Sequence, residues 1–125
     1  MNGDKLAQFV GQKYLTLESF RKNGQGVRTP LWFVEKDGTF YFYTVAKSYK
    51  VTRIRNNPHV RIAPCDMRGN VKGEWVDANA RELDNAEARA ADDLLNHKYG
   101  LAKRVLNLMA KIRGHKRAAF GIQPN

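Results

Sequence analysis

The stretch that decides the fold runs from Tyr43 to Pro58 and reads YTVAKSYKVTRIRNNP. It predicts the end of a strand, a short loop with a helix N-cap at Ser48, and an amphipathic helix that stops at the proline. Val51 and Ile54 mark the buried side of this helix at an i, i+3 spacing. The Ser48 hydroxyl suits the cap because it can accept a hydrogen bond from a free amide of the first turn.

Two lysines flank this helix start, Lys47 and Lys50, and they are the anomaly of the stretch. A cation at a helix N-terminus opposes the macrodipole and costs about 0.3–1 kcal/mol when it is exposed. Helix N-termini bind phosphate through their free amides, and lysine side chains strengthen such a site. The pattern therefore indicates an anion site, with a solvated basic turn as the alternative.

The length and charge of the chain restrict the possible functions. A length of 125 residues predicts one domain, residues 1–125, which is long enough to bury a single core. The formal net charge of +10 indicates an acidic partner, which is nucleic acid, an anionic membrane surface or a polyanionic small molecule. The three histidines show no spacing with the cysteine that is typical of a zinc site.

The cellular compartment is predicted from two further features. Cys65 is the single cysteine, which excludes an internal disulfide and fits a reducing compartment. There is no targeting pattern at the start and no apolar run of membrane-spanning length. We therefore expect a cytoplasmic protein without membrane contact.

The rest of the chain alternates strands and turns. An opening helix is predicted from an N-cap at Asp4, with Leu6, Phe9 and Val10 on one face. Pro30 indicates that its strand lies at an edge or a bulge, and Lys36-Asp37-Gly38 predicts a hairpin turn. The predicted strands are Tyr14–Arg21, Val27–Glu35, Thr39–Val45, Val60–Pro64, Trp75–Leu83 and Arg117–Gln123.

Two more helices are predicted in the second half. Asp84 with Glu87 forms a capping box that opens a helix to Tyr99. A further helix is predicted over Leu101–Ile112. Together the elements indicate a mainly β fold with helices, in which five or six antiparallel strands form a small barrel.

Several spaced motifs resemble the pyridoxamine 5′-phosphate oxidase-like superfamily of split β-barrel proteins, which bind flavins or deazaflavins. The resemblance covers most of the chain from Tyr14 to Leu83, and more weakly the segment Lys98–Leu101. Within the superfamily, the sequence is most similar to small proteins described as probable coenzyme F420-dependent enzymes. The motifs are Arg28–Trp32, Tyr43–Thr44, Lys47–Lys50, Ile54–Pro58, Val60–Asp66, Gly73–Val76 and Ala80–Arg81.

This resemblance implies an antiparallel six-stranded split barrel with short helices, the FMN-binding split barrel. It implies a homodimer with cofactor sites between the subunits, and an oxidoreductase that transfers a hydride between FMN or coenzyme F420 and an unknown small organic substrate. The cofactor phosphate is expected near Lys47, Ser48 and Lys50, and no catalytic side chain or metal ligand is assigned. The implied cofactor-binding residues are Arg28, Thr29, Pro30, Leu31, Trp32, Tyr43, Thr44, Lys47, Ser48, Lys50, Asn57 and Trp75.

The chain also departs from the pyridoxamine phosphate oxidases themselves. Gly73 falls where those enzymes carry a glutamine for the flavin, and their C-terminal arginine motif has no match in Arg117–Asn125. Oxidation of pyridoxamine phosphate is therefore not expected. Cations such as Arg53, Arg55 and Arg61 favour the long anionic tail of the deazaflavin over the single phosphate of FMN. For Arg53 and Arg55 the alternative is solvation of the outer face of the helix.

Two other functions stay open. A non-catalytic flavin-binding or carrier protein would use the same site. A basic nucleic-acid-binding module is less favoured, because the aromatic residues lie in strands and offer no stacking platform among the cations. Its best support is the C-terminal basic cluster of Lys103, Arg104, Lys111, Arg113, His115, Lys116 and Arg117.

Overall fold

The computed structural model describes residues 2–100 and 117–125. None of the helices in this part of the chain is long and apolar enough to cross a membrane. The elements are α1 (Asn2–Ala7), β1 (Tyr14–Phe20), β2 (Gly26–Trp32), β3 (Val34–Lys36), β4 (Thr39–Val45), α2 (Tyr49–Asn56), β5 (His59–Cys65), β6 (Val76–Glu82), α3 (Asn85–Tyr99) and β7 (Arg117–Pro124).

The described strands form one seven-stranded antiparallel sheet in the order β2-β1-β5-β6-β7-β4-β3. Its two edge strands, β2 and β3, are consecutive in the chain, and only Phe33 separates them. The sheet must therefore curl until its edges approach each other, which gives a half-barrel. The predicted barrel class is confirmed. There are seven strands instead of six because the predicted strand Val27–Glu35 breaks at Phe33.

The concave side of the half-barrel holds the main hydrophobic core, since side chains alternate between the two faces of each strand. Phe42 and Phe120 are 0% exposed, and their rings stack with centroids 5.4 Å apart. Helix α2 packs Val51 and Ile54 into this core, where they are 0% and 2% exposed. The buried side predicted for this helix is confirmed.

Helix α3 packs on the convex side, against β4 and β7. Its start is the predicted capping box: the Asp84 side chain accepts a hydrogen bond from the Glu87 amide, and the Glu87 side chain accepts one from the Asp84 amide. The helix covers a small second cluster on this side of the sheet. The members of that cluster are Leu83, Ala91 and Ala119, with Tyr41, Tyr43 and Ala88 packed against them.

The first helix differs from the prediction. Asp4 lies inside α1, which begins at Asn2, so the predicted N-cap is wrong. Phe9 is buried as expected, but Val10 is 77% exposed. The helix ends at Ala7 and the chain turns over the next residues, so the helical spacing that would place Val10 beside Phe9 is not maintained.

One prediction of an edge strand and one of a turn are confirmed, and one predicted helix falls outside the described residues. Pro30 lies in β2, an edge strand, where a missing backbone N–H is tolerated. Asp37 and Gly38 connect β3 and β4 with φ of 53° and 83°, which is typical of a two-residue hairpin turn. The predicted helix over Leu101–Ile112 lies outside the described residues.

Candidate functional site

The start of α2 has an N-cap that is not satisfied within the chain. Ser48 has the extended backbone of an N-cap, which confirms the predicted position. The predicted capping hydrogen bond is wrong, however, because the hydroxyl does not accept one from the first turn. Ser48 Oγ is buried and has no hydrogen-bond partner among the described residues. Such a group costs about 1–3 kcal/mol, which a bound acceptor or donor would recover.

A groove of about 710 Å³ opens beside this helix start, along the edge strand β2. Four cations line it, and none of its lining residues is acidic. Uncompensated like charges repel one another, so a bound anion would lower the free energy of the groove. We call it the cationic groove. Its lining residues are Arg21, Val27, Thr29, Lys47, Ser48, Tyr49, Lys50, Thr52 and Arg53.

Lys50 is the half-buried lysine of the cationic groove. Its Nζ donates a hydrogen bond to Thr44 Oγ1 at 2.8 Å, which fixes the ammonium group over the end of β4. Burial, and secondly the charge of Arg53, lower the pKa of Lys50. Lys47 is exposed at the same helix start. A partly desolvated cation interacts more strongly with an anion than a solvated one does, so Lys50 is the better placed of the two.

Arg53 extends the positive surface beyond the helix start. Its Nε donates a hydrogen bond to Ser19 Oγ at 2.7 Å. Burial, and secondly the charge of Arg21, lower the pKa of Arg53. Both arginines also line a neighbouring cavity of about 480 Å³, so the positive surface is continuous between the two cavities. The lining residues of this neighbouring cavity are Phe20, Arg21, Lys22, Arg53, Asn56 and Asn57.

The structure brings together part of the predicted cofactor-binding set. Thr29, Lys47, Ser48 and Lys50 line the cationic groove, and Thr44 contacts it through its hydrogen bond from Lys50. Asn57 lies in the neighbouring cavity, where its backbone N–H donates to the Arg53 carbonyl at 2.8 Å and ends α2.

Arg28 and Trp75 belong to a different cluster on the convex side of the sheet. Glu18 is 6% exposed and accepts hydrogen bonds from Arg28 Nε at 3.1 Å and Arg61 Nη1 at 3.0 Å. The two guanidinium carbons lie 4.7 and 4.8 Å from the centroid of the Trp75 ring. Pro30 shares this side of β2, because it alternates with Thr29. These cations already have a counter-charge within the chain.

The remaining predicted residues also lie away from the cationic groove. Leu31 is buried in the core. Trp32 stacks on Tyr99, with centroids 4.7 Å apart and an interplanar angle of 4°. Tyr43 lies beneath α3, where its hydroxyl donates to the backbone carbonyl of Ala88. Their side chains do not line the cationic groove, and their predicted role in cofactor binding stays a prediction.

The three arginines that were predicted to favour the anionic tail of a deazaflavin have different partners in the structure. Arg55 makes two hydrogen bonds to Glu82, at 3.0 and 3.1 Å, and Arg61 binds Glu18. Only Arg53 of the three lines the cationic groove.

A side chain at Gly73, where the resemblance implies a departure from the pyridoxamine phosphate oxidases, would meet close neighbours. A Cβ at Gly73 would lie 2.3 Å from Gln8 Oε1 and 2.9 Å from Pro64 Cγ. The Gln8 side chain is itself held by hydrogen bonds to the Glu74 backbone N–H and carbonyl, both at 2.8 Å. The packing of Gln8 and Pro64 therefore favours glycine at this position.

Sequence reasoning missed Arg21 and Tyr49 as groove residues. Arg21 directly follows β1, and it reaches the groove because β1 packs against α2. Tyr49 is the first residue of α2 and is 84% exposed beside the groove. The position of Tyr49 next to the predicted cap was a usable signal, whereas the contact between β1 and α2 is not visible in the sequence.

Comparison with known proteins supports the fold and the family. The model of the pyridoxamine 5′-phosphate oxidase family matches residues 3–124. No curated protein matches the sequence significantly. Similar structures include HutZ, a heme storage protein from Vibrio cholerae, at 15% identity and a TM-score of 0.73 over 98% of this chain and 89% of that chain.

Two further similar structures are described by the cofactor that they use. A FAD-binding protein from Mesorhizobium loti is 17% identical, with a TM-score of 0.66 over 98% of this chain and 88% of that chain. An F420 reductase is 16% identical, with a TM-score of 0.58 over 95% of this chain and 91% of that chain. At such identities the likeness shows a common fold.

Proposed function

We propose, because this chain belongs to the pyridoxamine 5′-phosphate oxidase family, that it is an oxidoreductase whose cationic groove binds the phosphate of a flavin or deazaflavin. The observation that carries the proposal is the unsatisfied Ser48 hydroxyl at the start of a helix, surrounded by cations. A phosphate oxygen supplies the acceptor that Ser48 lacks and the negative charge that the groove lacks.

The residues of the groove would have different roles in binding. Ser48 would donate its hydroxyl hydrogen after rotation about χ1, the first-turn amides of α2 would donate theirs, and Lys47 and Lys50 would supply charge. Thr29 lines the groove from β2, and Thr44 contacts the groove through its hydrogen bond from Lys50, so the ring system would begin beside these two threonines. When bound, the cofactor supplies hydride-transfer chemistry, and the protein contributes binding, orientation and exclusion of water.

The continuous positive surface favours a deazaflavin over FMN. FMN ends at one phosphate, whereas coenzyme F420 continues through a phosphodiester into a chain of glutamates. Arg21 and Arg53 link the cationic groove to the neighbouring cavity, and Lys22 lines that cavity. These three cations would supply the positive charge that carboxylates beyond the phosphate need.

A homodimer with a cofactor site at the subunit interface is part of the proposal. The groove runs along β2, an edge strand of the sheet, and is open on its outer side. A second subunit beside that edge would cover the ring of a bound cofactor and protect the unpaired strand. The single-domain organisation over residues 1–125 and the cytoplasmic location stay predictions.

The absorption spectrum of the purified protein tests the proposal. The protein is incubated with FMN or with coenzyme F420 and passed over a gel-filtration column. Two bands in the near ultraviolet and blue indicate retained flavin, and one violet band indicates retained deazaflavin. Retention of neither would contradict the proposal. Retardation of oligonucleotides at low salt in the same preparation would then favour the nucleic-acid-binding alternative.

A further inference from the structure

Arg53 is a cation of the cationic groove that the chain holds in place without neutralising it. Its Nε donates a hydrogen bond to the neutral hydroxyl of Ser19 at 2.7 Å. Among residues 2–100 and 117–125, no carboxylate forms an ion pair with Arg53. Four other arginines of the sheet and of α2 do pair with carboxylates. They are Arg28 and Arg61 with Glu18, Arg55 with Glu82, and Arg81 with Glu87.

Ser19 is a buried hydroxyl that fixes the guanidinium group of Arg53. It lies near the end of β1 and is only 1% exposed, so its oxygen has a defined position in the fold. A free arginine side chain has many rotamers, and a ligand that binds it must restrict them. A guanidinium that is already held binds a ligand with a smaller loss of entropy. The hydrogen bond to Ser19 therefore prepares Arg53 for an anion.

The same hydrogen bond determines which edge of the Arg53 guanidinium is left for a ligand. Because Nε is bound to Ser19, the pair of donors that includes Nε is not available. The edge formed by the two Nη nitrogens remains, and its parallel donors fit two oxygens of one phosphate or carboxylate group. Arg53 lines both the cationic groove and the neighbouring cavity, whereas Ser48 lines only the groove. An anionic group on the Nη edge would therefore be a different group from a phosphate at Ser48.

We propose that Ser19 is a positioning residue, which holds Arg53 so that its Nη edge binds a second anionic group of a cofactor whose phosphate lies at Ser48. This inference rests on the proposed function and adds a requirement to it, namely that the cofactor carries two anionic groups. Coenzyme F420 meets the requirement through the carboxylates beyond its phosphodiester, and FMN does not. Ser19 acts through Arg53 and contacts no ligand itself.

The test is absorption titration of wild type and variants with coenzyme F420 and with FMN at one ionic strength. Arg53→Lys keeps the positive charge but removes the paired donors, and should raise the Kd of coenzyme F420 roughly tenfold. Ser19→Ala keeps the arginine but releases it, and should raise that Kd roughly threefold. The Kd of FMN should change less than about twofold in both. The matched control is Arg55→Lys, the same change on the same helix at the arginine that binds Glu82, which should alter neither Kd.

The ratio of the two Kd values separates positioning from a merely structural role. Damage to the fold would weaken both cofactors alike, so parallel losses in Ser19→Ala and Arg53→Lys would overturn the inference. Unchanged affinity of Arg53→Lys for coenzyme F420, or a wild type that binds FMN alone, would also overturn it and leave the proposed function standing. A wild type that binds neither cofactor would contradict both.

A second substitution at Ser19 covers the case in which the alanine variant does not fold. Ser19→Cys keeps nearly the same volume but replaces the oxygen by sulfur, which is a weak acceptor. It should change the ratio of Kd values in the same direction as Ser19→Ala. A folded Ser19→Cys protein with the wild-type ratio would remove the positioning role from Ser19.

Discussion

The N-termini of α2 and α3 meet the same requirement in opposite ways. Each helix leaves free amides in its first turn. At α3 the chain satisfies the Glu87 amide itself, through the reciprocal hydrogen bonds of Asp84 and Glu87, and Arg81 pairs with Glu87. At α2 the Ser48 hydroxyl makes no such bond, and cations surround it instead of carboxylates. The first terminus carries its own carboxylates, whereas the residues that line the groove at the second include none.

The pKa shifts at the two termini have opposite meanings. The Arg81 guanidinium and the Asp84 amide hold the pKa of Glu87 at about 2, so its charged form is stabilised. Burial and the charge of Arg53 lower the pKa of Lys50, so its charged form is destabilised. The α3 terminus therefore gains stability from its charges, whereas the α2 terminus retains a charge that a ligand can stabilise.

The largest expected effect is on binding at α2. Lys50→Ala should weaken cofactor binding by about 1–3 kcal/mol, the scale of a charge-assisted hydrogen bond, or roughly 5- to 150-fold in Kd. Absorption titration with FMN and with coenzyme F420 measures it. The matched control is Lys36→Ala, which removes an exposed lysine outside the groove. Unchanged affinity in Lys50→Ala would contradict the assigned phosphate position.

The two caps should differ in what they contribute to stability. Asp84→Ala removes the capping box and should lower the free energy of unfolding by about 1 kcal/mol. Ser48→Ala removes a hydroxyl that makes no cap bond, so the free energy of unfolding should stay the same or rise slightly. Denaturant unfolding of both variants measures this, and equal losses would show that Ser48 caps α2 in solution.

For cofactor affinity the order of the two variants should be reversed, so that Ser48→Ala has the larger effect and Asp84→Ala the smaller. Ser48→Ala should weaken binding by about 0.5–1.5 kcal/mol, the net value of one hydrogen bond. Asp84→Ala should leave the affinity unchanged because it lies at the other helix start. A cofactor Kd that is the same for wild type and Ser48→Ala would remove the hydroxyl from the site.

The smallest effect is an acid dependence that belongs to α3. The pKa of Glu87 is about 2 in the folded protein, against an ordinary value of 4.5. Its contribution to stability is therefore present above pH 4.5 and is lost as the pH falls from 4.5 towards 2. Glu87→Gln should flatten the fall in Tm over this range, whereas Glu74→Gln, at an exposed carboxylate outside the capping box, should not.

Much of the fold followed from local signals. The capping box at Asp84, the hairpin turn at Asp37 and the buried spacing of Val51 with Ile54 each depend on residues within one turn of one another. The break at Phe33 does not. Its amide donates to the hydroxyl of Tyr99 at 2.9 Å, across 66 positions of sequence, and no local pattern encodes such a contact.

The site was predictable at the helix but not along the strands. Residues of a strand alternate between its faces, so a contiguous motif cannot direct every side chain to one ligand. Thr29 faces the groove while Arg28 binds Glu18 on the other side, and Thr44 contacts Lys50 on the face opposite to Tyr43. A resemblance that is carried by whole motifs therefore includes residues from both faces of each strand.

The strand order also determines which strand edges are exposed while the chain is being synthesised. β7 follows every other described strand along the chain, yet it lies between β6 and β4. Before residues 117–124 emerge from the ribosome, β6 and β4 each present a bare edge and the β3–β4 hairpin has no neighbour. Nascent chains halted upstream of Arg117 should therefore be clients for chaperones or seeds for edge-to-edge aggregation, and not smaller folded domains.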